Sequence, residues 1–309
     1  MALSPELFKR LSRLNRQRIP EQLTTADRLD ALRSKPRDAE AADLAVSLES
    51  LIPGRECEAP GGRFYHVPRL AGAFHPVPGD AEDADAPDVS DFPARYRKVF
   101  FGARRAVAPD DLHEALRPLA AADPARITYL DIETCGLAGE PVFLVGLMRY
   151  GGRLLRVDQL LARDYSEERP MLAAFWRELA GTECLVTFNG KAFDVPFVQA
   201  RSVASGIFDP PPLPPHVDLL HEARRRWKRD LPNCRLQTLE EMVCGRRRAG
   251  DIPGCDIPAA YHDFVRAHQG DDPVRRARSL RRLQVILHHN ALDLVTMGEL
   301  AMHILAGEA

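Results

Sequence analysis

The sequence predicts an α/β protein: a mixed sheet with helices on both faces, preceded by a smaller N-terminal segment. Three observations predict it. Apolar strand-like segments come first and close together from Ile127, helices and strands alternate after them, and a long amphipathic helix closes the chain. Antiparallel strands followed by αβ units suit a mixed sheet with helices on its faces. At 309 residues and 45% hydrophobic content, the chain is long and apolar enough to bury a substantial core.

The first forty residues are polar, charged and weakly periodic. Leu44 to Leu51 predicts a short helix ending near Pro53-Gly54. Cys57 to Val99 is rich in Gly, Pro and Asp; it holds a β-like piece at Arg63 to Val67 and an acidic stretch, Asp80 to Asp91, with the composition of an exposed loop. A boundary is expected between residues 105 and 125. It would separate an N-terminal segment, 1–110, of unknown role and partly disordered, from a domain spanning 125–305.

From Ile127 the texture changes. Ile127 to Ile132, Pro141 to Tyr150 and Arg153 to Gln159 predict three strands, the last two joined by a hairpin turn at Gly151-Gly152. Ser166, with Glu168 and Arg169 behind it, opens a helix in which Met171, Leu172, Phe175, Trp176 and Leu179 recur at helical spacing. Cys184 to Phe188 predicts a buried strand, Phe193 to Val203 a helix, Pro210 to Pro215 a stiff connection, and His216 to Leu220 a short strand. Leu283 to Ile304 predicts the closing helix, apolar at Ile286, Leu287, Leu294, Met297, Leu300 and Ile304.

Composition excludes several classes. No run approaches the roughly 18 apolar residues that span a bilayer, and Met1 to Ile19 is studded with Lys and Arg without a signal core, so no membrane association and a cytoplasmic location are expected. Six scattered cysteines form no CxxC pair, which fits reduced thiols better than disulfides or a zinc site. The net charge of −2 argues against a uniformly basic surface. Basic residues do gather at Arg224 to Arg229, Arg246 to Arg248 and Arg275 to Arg282, each cluster being equally readable as a solvated helix face or a phosphate contact.

Three carboxylate motifs carry the chemistry. Asp131 and Glu133 stand two apart at the end of an apolar strand, so the period-2 geometry points both to one face, where they repel unless solvated or bridged by a cation. In Thr187-Phe188-Asn189-Gly190-Lys191-Ala192-Phe193-Asp194 a strand runs into a turn and Asp194 opens the next helix, a position that also suits a simple helix cap. His288-His289-Asn290-Ala291-Leu292-Asp293 lies in the final helix and could equally be a polar patch.

The order of these motifs, strand Asp-x-Glu, strand-turn Asn to Asp, and late helical His to Asp, resembles the DEDD superfamily of 3′-to-5′ exonucleases. The segment from Leu231 is most similar to YprB-type RNase H-like proteins, through Arg235-Leu236-Gln237-Thr238-Leu239-Glu240, Asp251-Ile252-Pro253-Gly254, Tyr261 and His289-Asn290-Ala291-Leu292-Asp293. Leu51-Ile52-Pro53-Gly54 and Gly62-Arg63-Phe64 resemble that group's N-terminal segment. The resemblance implies an RNase H-like fold and a metal-dependent 3′-5′ exonuclease. In it, Asp131, Glu133, Asp194 and Asp293 would hold two divalent cations, Mg2+ or Mn2+, which suit oxygen ligands. A non-catalytic nucleic-acid-binding module and a structure-specific endonuclease are the alternatives, since loops and not carboxylates select termini.

The resemblance further implies a general base at His288 or His289. If the helix is already formed there, His289 stands about 40° from Asp293 and His288 about 140° away, which favours His289; a helix starting at Asn290 would let His288 swing in. Asn189, Lys191, Arg224 and Arg225 are candidate contacts for a DNA or RNA substrate, and a helicase is an expected partner by association with this kind of domain.

Overall fold

The computed structural model describes residues 46–73, 89–102, 113–137, 139–151, 154–248 and 250–306. Its strands are β1 (Arg55–Ala59), β2 (Gly62–Leu70), β3 (Ile127–Thr134), β4 (Val142–Gly151), β5 (Leu154–Leu161), β6 (Cys184–Thr187) and β7 (His216–Asp218). They form one seven-stranded sheet in the order β1-β2-β5-β4-β3-β6-β7. From β1 to β3 neighbours run antiparallel, while β3-β6 and β6-β7 are parallel, so the sheet is mixed as expected. β4 is the apolar spine: Val142 to Met148 is buried without a break, because helices cover both faces and no position looks out to water.

The helices are α1 (Leu48–Leu51), α2 (Phe92–Gly102), α3 (Arg117–Ala121), α4 (Glu168–Glu178), α5 (Asp194–Ala204), α6 (Leu219–Trp227), α7 (Leu236–Met242), α8 (Ile257–Gln269) and α9 (Pro273–Ala306). α9 lies on the sheet face that carries Gly146 and Met148, and a Cβ added at Gly298 would come within 2.9 Å of the Met148 side chain. α4 lies on the other face, where Arg149 bonds Glu178 at 2.8 Å. No helix among the described residues is long and apolar enough to cross a membrane.

The structure departs from the sequence expectations in four places. The β1–β2 hairpin belongs to the segment placed before the expected boundary, yet β2 pairs with β5 from Tyr65 opposite Leu161 to Leu70 opposite Arg156. Residues 47–309 cluster as one compact unit, so a boundary between 105 and 125 falls inside it. Strand pairing is non-local, and the Gly-, Pro- and Asp-rich stretch gives no hint of which edge it will join. Residues 1–45 and the acidic stretch from Asp80 to Pro87 lie outside the described residues.

Second, α9 begins at Pro273, ten residues before the expected start. Asp272 accepts from the backbone N–H groups of Val274 and Arg275 at 3.0 and 3.1 Å, and Arg275 pairs with Asp263 of α8. The arginine run there is a helix turn tied to its neighbour. Third, Asp164 and not Ser166 caps the turn leading into α4, accepting from the Ser166 N–H at 2.8 Å. Fourth, Gly151 pairs with Leu154, so the β4–β5 connection is 152–153, residues outside those described.

Candidate active site

β3 presents Asp131 and Glu133 on the face beneath α9, and the adjoining strand makes room for what comes down from that helix. Gly146 pairs with Asp131 on one side and with Gln159 of β5 on the other. Asn290 of α9 sits directly over this glycine: a Cβ there would lie 2.2 Å from Asn290 Oδ1. Through that gap the Asn290 amide reaches both flanks. Its Nδ2 donates to Asp131 Oδ2 at 2.7 Å and to the Asp131 carbonyl at 3.2 Å, while its Oδ1 accepts from Gln159 Nε2 at 2.8 Å. The fully buried Gln159 also donates to the Leu287 carbonyl. One carboxylate oxygen of Asp131 is thereby pinned from α9.

Asp194 is the first residue of α5. Phe193, at the cap position, makes no side-chain cap bond, and the buried Asp194 carboxylate accepts from the Ile132 N–H of β3 at 3.2 Å. It therefore faces the other acids. The turn before it is fixed by Asn189, which adopts φ 65°, and by buried Asp218 of β7, which accepts from the Asn189 and Lys191 N–H groups at 2.8 and 3.0 Å. Asn tolerates the left-handed region better than most residues. Asp218 is a turn clamp, and Lys191 extends from it with an exposed side chain.

α9 supplies Asp293 and His289 one turn apart, with His289 Nε2 3.6 Å from Asp293 Oδ2. The helix is continuous through this stretch, which puts His289 on the face of Asp293. His288 lies about 100° round the helix. Burial, with Arg69 of β2 as the largest charged influence, holds its imidazole down to about 4.

Electrostatics ties the four acids together. Burial, then repulsion from Asp293, Glu133 and Asp194, pushes the Asp131 carboxyl well above the usual range. Glu133 is pushed up the same way, by burial and then by Asp293 and Asp194. Asp194 rises to about 7, burial and the charges of Asp218 and Asp293 outweighing its backbone hydrogen bonds. An excess of negative charge in one place is what a cation relieves.

Part of that relief comes from within the chain. Arg248, its side chain 5% exposed, donates to Asp293 Oδ1, to Glu240 Oε2 at 2.5 Å and to Asp251 Oδ2 at 3.3 Å. Asp251 Oδ1 in turn lies 2.7 Å from His289 Nδ1. Asn290, Gln159, Arg248 and Asp251 were assigned no role from the sequence, although two of them stand inside the strings Asp251-Ile252-Pro253-Gly254 and His289-Asn290 that carried the resemblance.

The donor set, four carboxylates with hard oxygen atoms, suits magnesium or manganese. As placed, no three His, Cys, Asp or Glu among the described residues are grouped to hold one ion, and Arg248 stands on Asp293. Arg224 and Arg225 are not brought to this site. Their helix α6 meets the far end of α9, where Arg226 bonds the Ile304 carbonyl, about 16 Å of helix beyond Asp293 at roughly 1.5 Å per residue. Trp227 is buried there.

Comparison with known proteins gives three findings. The family model of the RNase_H superfamily matches residues 128–305. A Bacillus subtilis (strain 168) protein described as "Uncharacterized protein YprB" is 36% identical over 182 residues, 57% of this chain and 41% of that protein, so the chain spans under half of its relative's length. Among solved structures, the family B DNA polymerase of the hyperthermophilic archaeon Pyrobaculum calidifontis is similar with a TM-score of 0.43 and 18% identity, over 58% of this chain and 24% of the polymerase.

Proposed function

The chain belongs to the RNase H superfamily as a YprB-type RNase H-like protein, and from that premise we propose that it is a metal-dependent nuclease that shortens DNA or RNA from the 3′ end. The observation that supports this reading is the approach of Asp131, Glu133, Asp194 and Asp293, from three separate elements, so that burial and the neighbouring carboxylates raise the pKa of Asp131, Glu133 and Asp194 and oppose their ionisation. Carboxylates so arranged destabilise the fold unless they serve a cation, and they suit two divalent ions of the Mg2+ or Mn2+ class.

Asp131, Glu133, Asp194 and Asp293 would hold such ions, which would activate a water and stabilise the charge of the departing 3′-oxygen of a phosphodiester. The chain's own residues do the rest. Asn290 and the Ile132 N–H aim Asp131 and Asp194. His289, with Nε2 toward Asp293, takes the proton of the attacking water; an imidazole does this near neutral pH. Loading the site requires Asp293 Oδ1 to leave Arg248. Lys191, exposed three residues before Asp194, meets a substrate phosphate.

One observation favours a second reading, a nucleic-acid-binding module without turnover: Arg248 already neutralises part of the acid cluster. A single experiment separates the two. Single-stranded DNA and RNA labelled at the 5′ end are incubated with Mg2+, Mn2+ or chelator, using the native protein, Asp131→Asn and Asp293→Asn. A ladder shortening from the 3′ end that needs metal and is lost in both variants supports the exonuclease. Internal cuts would make it an endonuclease. Binding without cleavage under every condition, unchanged in the variants, would overturn the nuclease reading.

A further inference from the structure

We infer that Asp251 is a positioning residue for His289: it holds the imidazole with its proton on Nδ1 and so leaves the Nε2 lone pair facing the acid cleft. The inference rests on the nuclease reading only in giving that lone pair a task.

The geometry is specific. Asp251 lies between α7 and α8, 38 residues before His289, and its Oδ1 is 2.7 Å from His289 Nδ1. Three further donors fix the carboxylate. The Ile252 N–H donates to Oδ1 at 2.9 Å, and Gln237 Nε2 and Arg248 Nη1 donate to Oδ2 at 3.2 and 3.3 Å. With both oxygens engaged by donors, Asp251 is held as the anion. Burial works against that, but the bond from His289 and the charges of His289 and Arg248 hold the carboxyl below its usual range.

A carboxylate can only accept, so the atom facing it at 2.7 Å must carry hydrogen. Arg248 Nη1 lies 3.5 Å from the same Nδ1, and a guanidinium can only donate. The two neighbours make opposite demands on one atom. The short contact to a full charge governs, since 3.5 Å is at the outer limit of a hydrogen bond. With Nδ1 protonated, the neutral ring has its lone pair on Nε2, the atom 3.6 Å from Asp293 Oδ2. An imidazole free to choose would put the Nε2 lone pair there only part of the time. Here the partner of the other nitrogen makes the choice, as a buried carboxylate does for the histidine of hydrolytic triads.

The test reads the tautomer directly. Imidazole-15N-labelled full-length protein is studied by NMR in chelator at a pH where the ring is neutral, with the His289 signals identified by their loss in His289→Gln. The expected result is a protonated Nδ1 in the native protein. Asp251→Asn, whose amide donates to Nδ1, should move the proton to Nε2. Asp251→Glu should restore the native pattern. Cleavage of a labelled oligonucleotide should fall about 10²- to 10⁴-fold in Asp251→Asn, in kcat more than in KM, and return in part in Asp251→Glu. An Nε2 proton in the native protein would overturn the inference even if no variant folds. So would a proton that moves in Asp251→Asn with no change in cleavage. A native protein that cleaves nothing removes the nuclease reading instead, while the tautomer is still decided by the spectrum.

Discussion

Two sets of buried or half-buried acids lie on and around the sheet, and they are treated in opposite ways. Glu299, near the helix's end, takes Arg246 Nη1 on one oxygen at 2.5 Å and Arg95 on the other. Glu240 of α7 takes Arg246 and Arg248, and on the far face of the sheet Glu168 of α4 takes Arg201 together with the Val142 N–H. Less than two turns before Glu299 stands Asp293, grouped with Asp131, Glu133 and Asp194. There, among the described residues, one arginine, Arg248, and the imidazole of His289 reach the four acids, both at Asp293. The first set locks elements together; the second stores unrelieved repulsion. Glu299, Glu240 and Glu168 each have arginine partners where the four acids share one, and that contrast is what the proposed site rests on.

The contrast can be broken from either side, and the largest effect is expected at the unpaired set. Asp131→Asn or Asp293→Asn should lower metal-dependent cleavage by about 10⁴-fold, on the order of 5 kcal/mol. In chelator, Asp131→Asn should leave the midpoint of urea unfolding unchanged or raise it. A midpoint that falls sharply would mean that this carboxylate is structural. The paired set should respond in the opposite sense. Glu299→Ala strands Arg246 and Arg95, with an expected loss of about 3–5 kcal/mol in urea unfolding. A loss below about 1 kcal/mol would remove the distinction between the two groups.

Gly146→Ala probes the gap through which Asn290 reaches Asp131. The added methyl would overlap Asn290 Oδ1, and a loss of about 1–3 kcal/mol is expected together with weaker Mn2+ binding by calorimetry. Unchanged metal affinity would detach Asn290 from the function of Asp131.

The smallest effect expected is on pH dependence. Asp194 has its folded pKa raised to about 7, so the folded state binds the proton more tightly than the unfolded chain does. Its contribution favours the fold below the unfolded value near 4 and is lost as pH rises toward 7. His216 and His288, both held down to about 4, act in the other direction, their contribution falling as pH drops from about 6.5 toward 4. In chelator, Asp194→Asn should therefore gain about 1 kcal/mol relative to the native protein at pH 8, and the gain should shrink by pH 5. A gain independent of pH would place its origin elsewhere.

Much of this was legible in the chain. The apolar runs of β3 and β4, the helical spacing in α4 and the Asp-x-Glu on a strand end are local patterns, because periodicity reports which side of an element is buried. So is the one-turn spacing of His289 and Asp293, once the helix is known to be continuous. The resemblance pointed to all four acids, and it already contained Asp251 and Asn290 within quoted strings, but nothing in a string tells a ligand from the residue that aims it. Arg248 lay in a run of three arginines with the look of a solvated face; the fold buries the first and third and leaves Arg247 exposed.

By itself, the sequence determined the element types and the mixed sheet, which follow from side-chain period, while the candidate carboxylates and histidines came as a set from the family resemblance. Only the tertiary structure decided that the β1–β2 hairpin extends the sheet, that Asp194 faces β3 instead of capping its helix, that His289 and not His288 meets Asp293, and that Asp251 stands behind the imidazole. The hairpin, Asp194 and Asp251 contacts join residues tens of positions apart, and the choice of His289 depends on α9 being already wound at that point. Such contacts are set by how whole elements pack, and no local pattern encodes them.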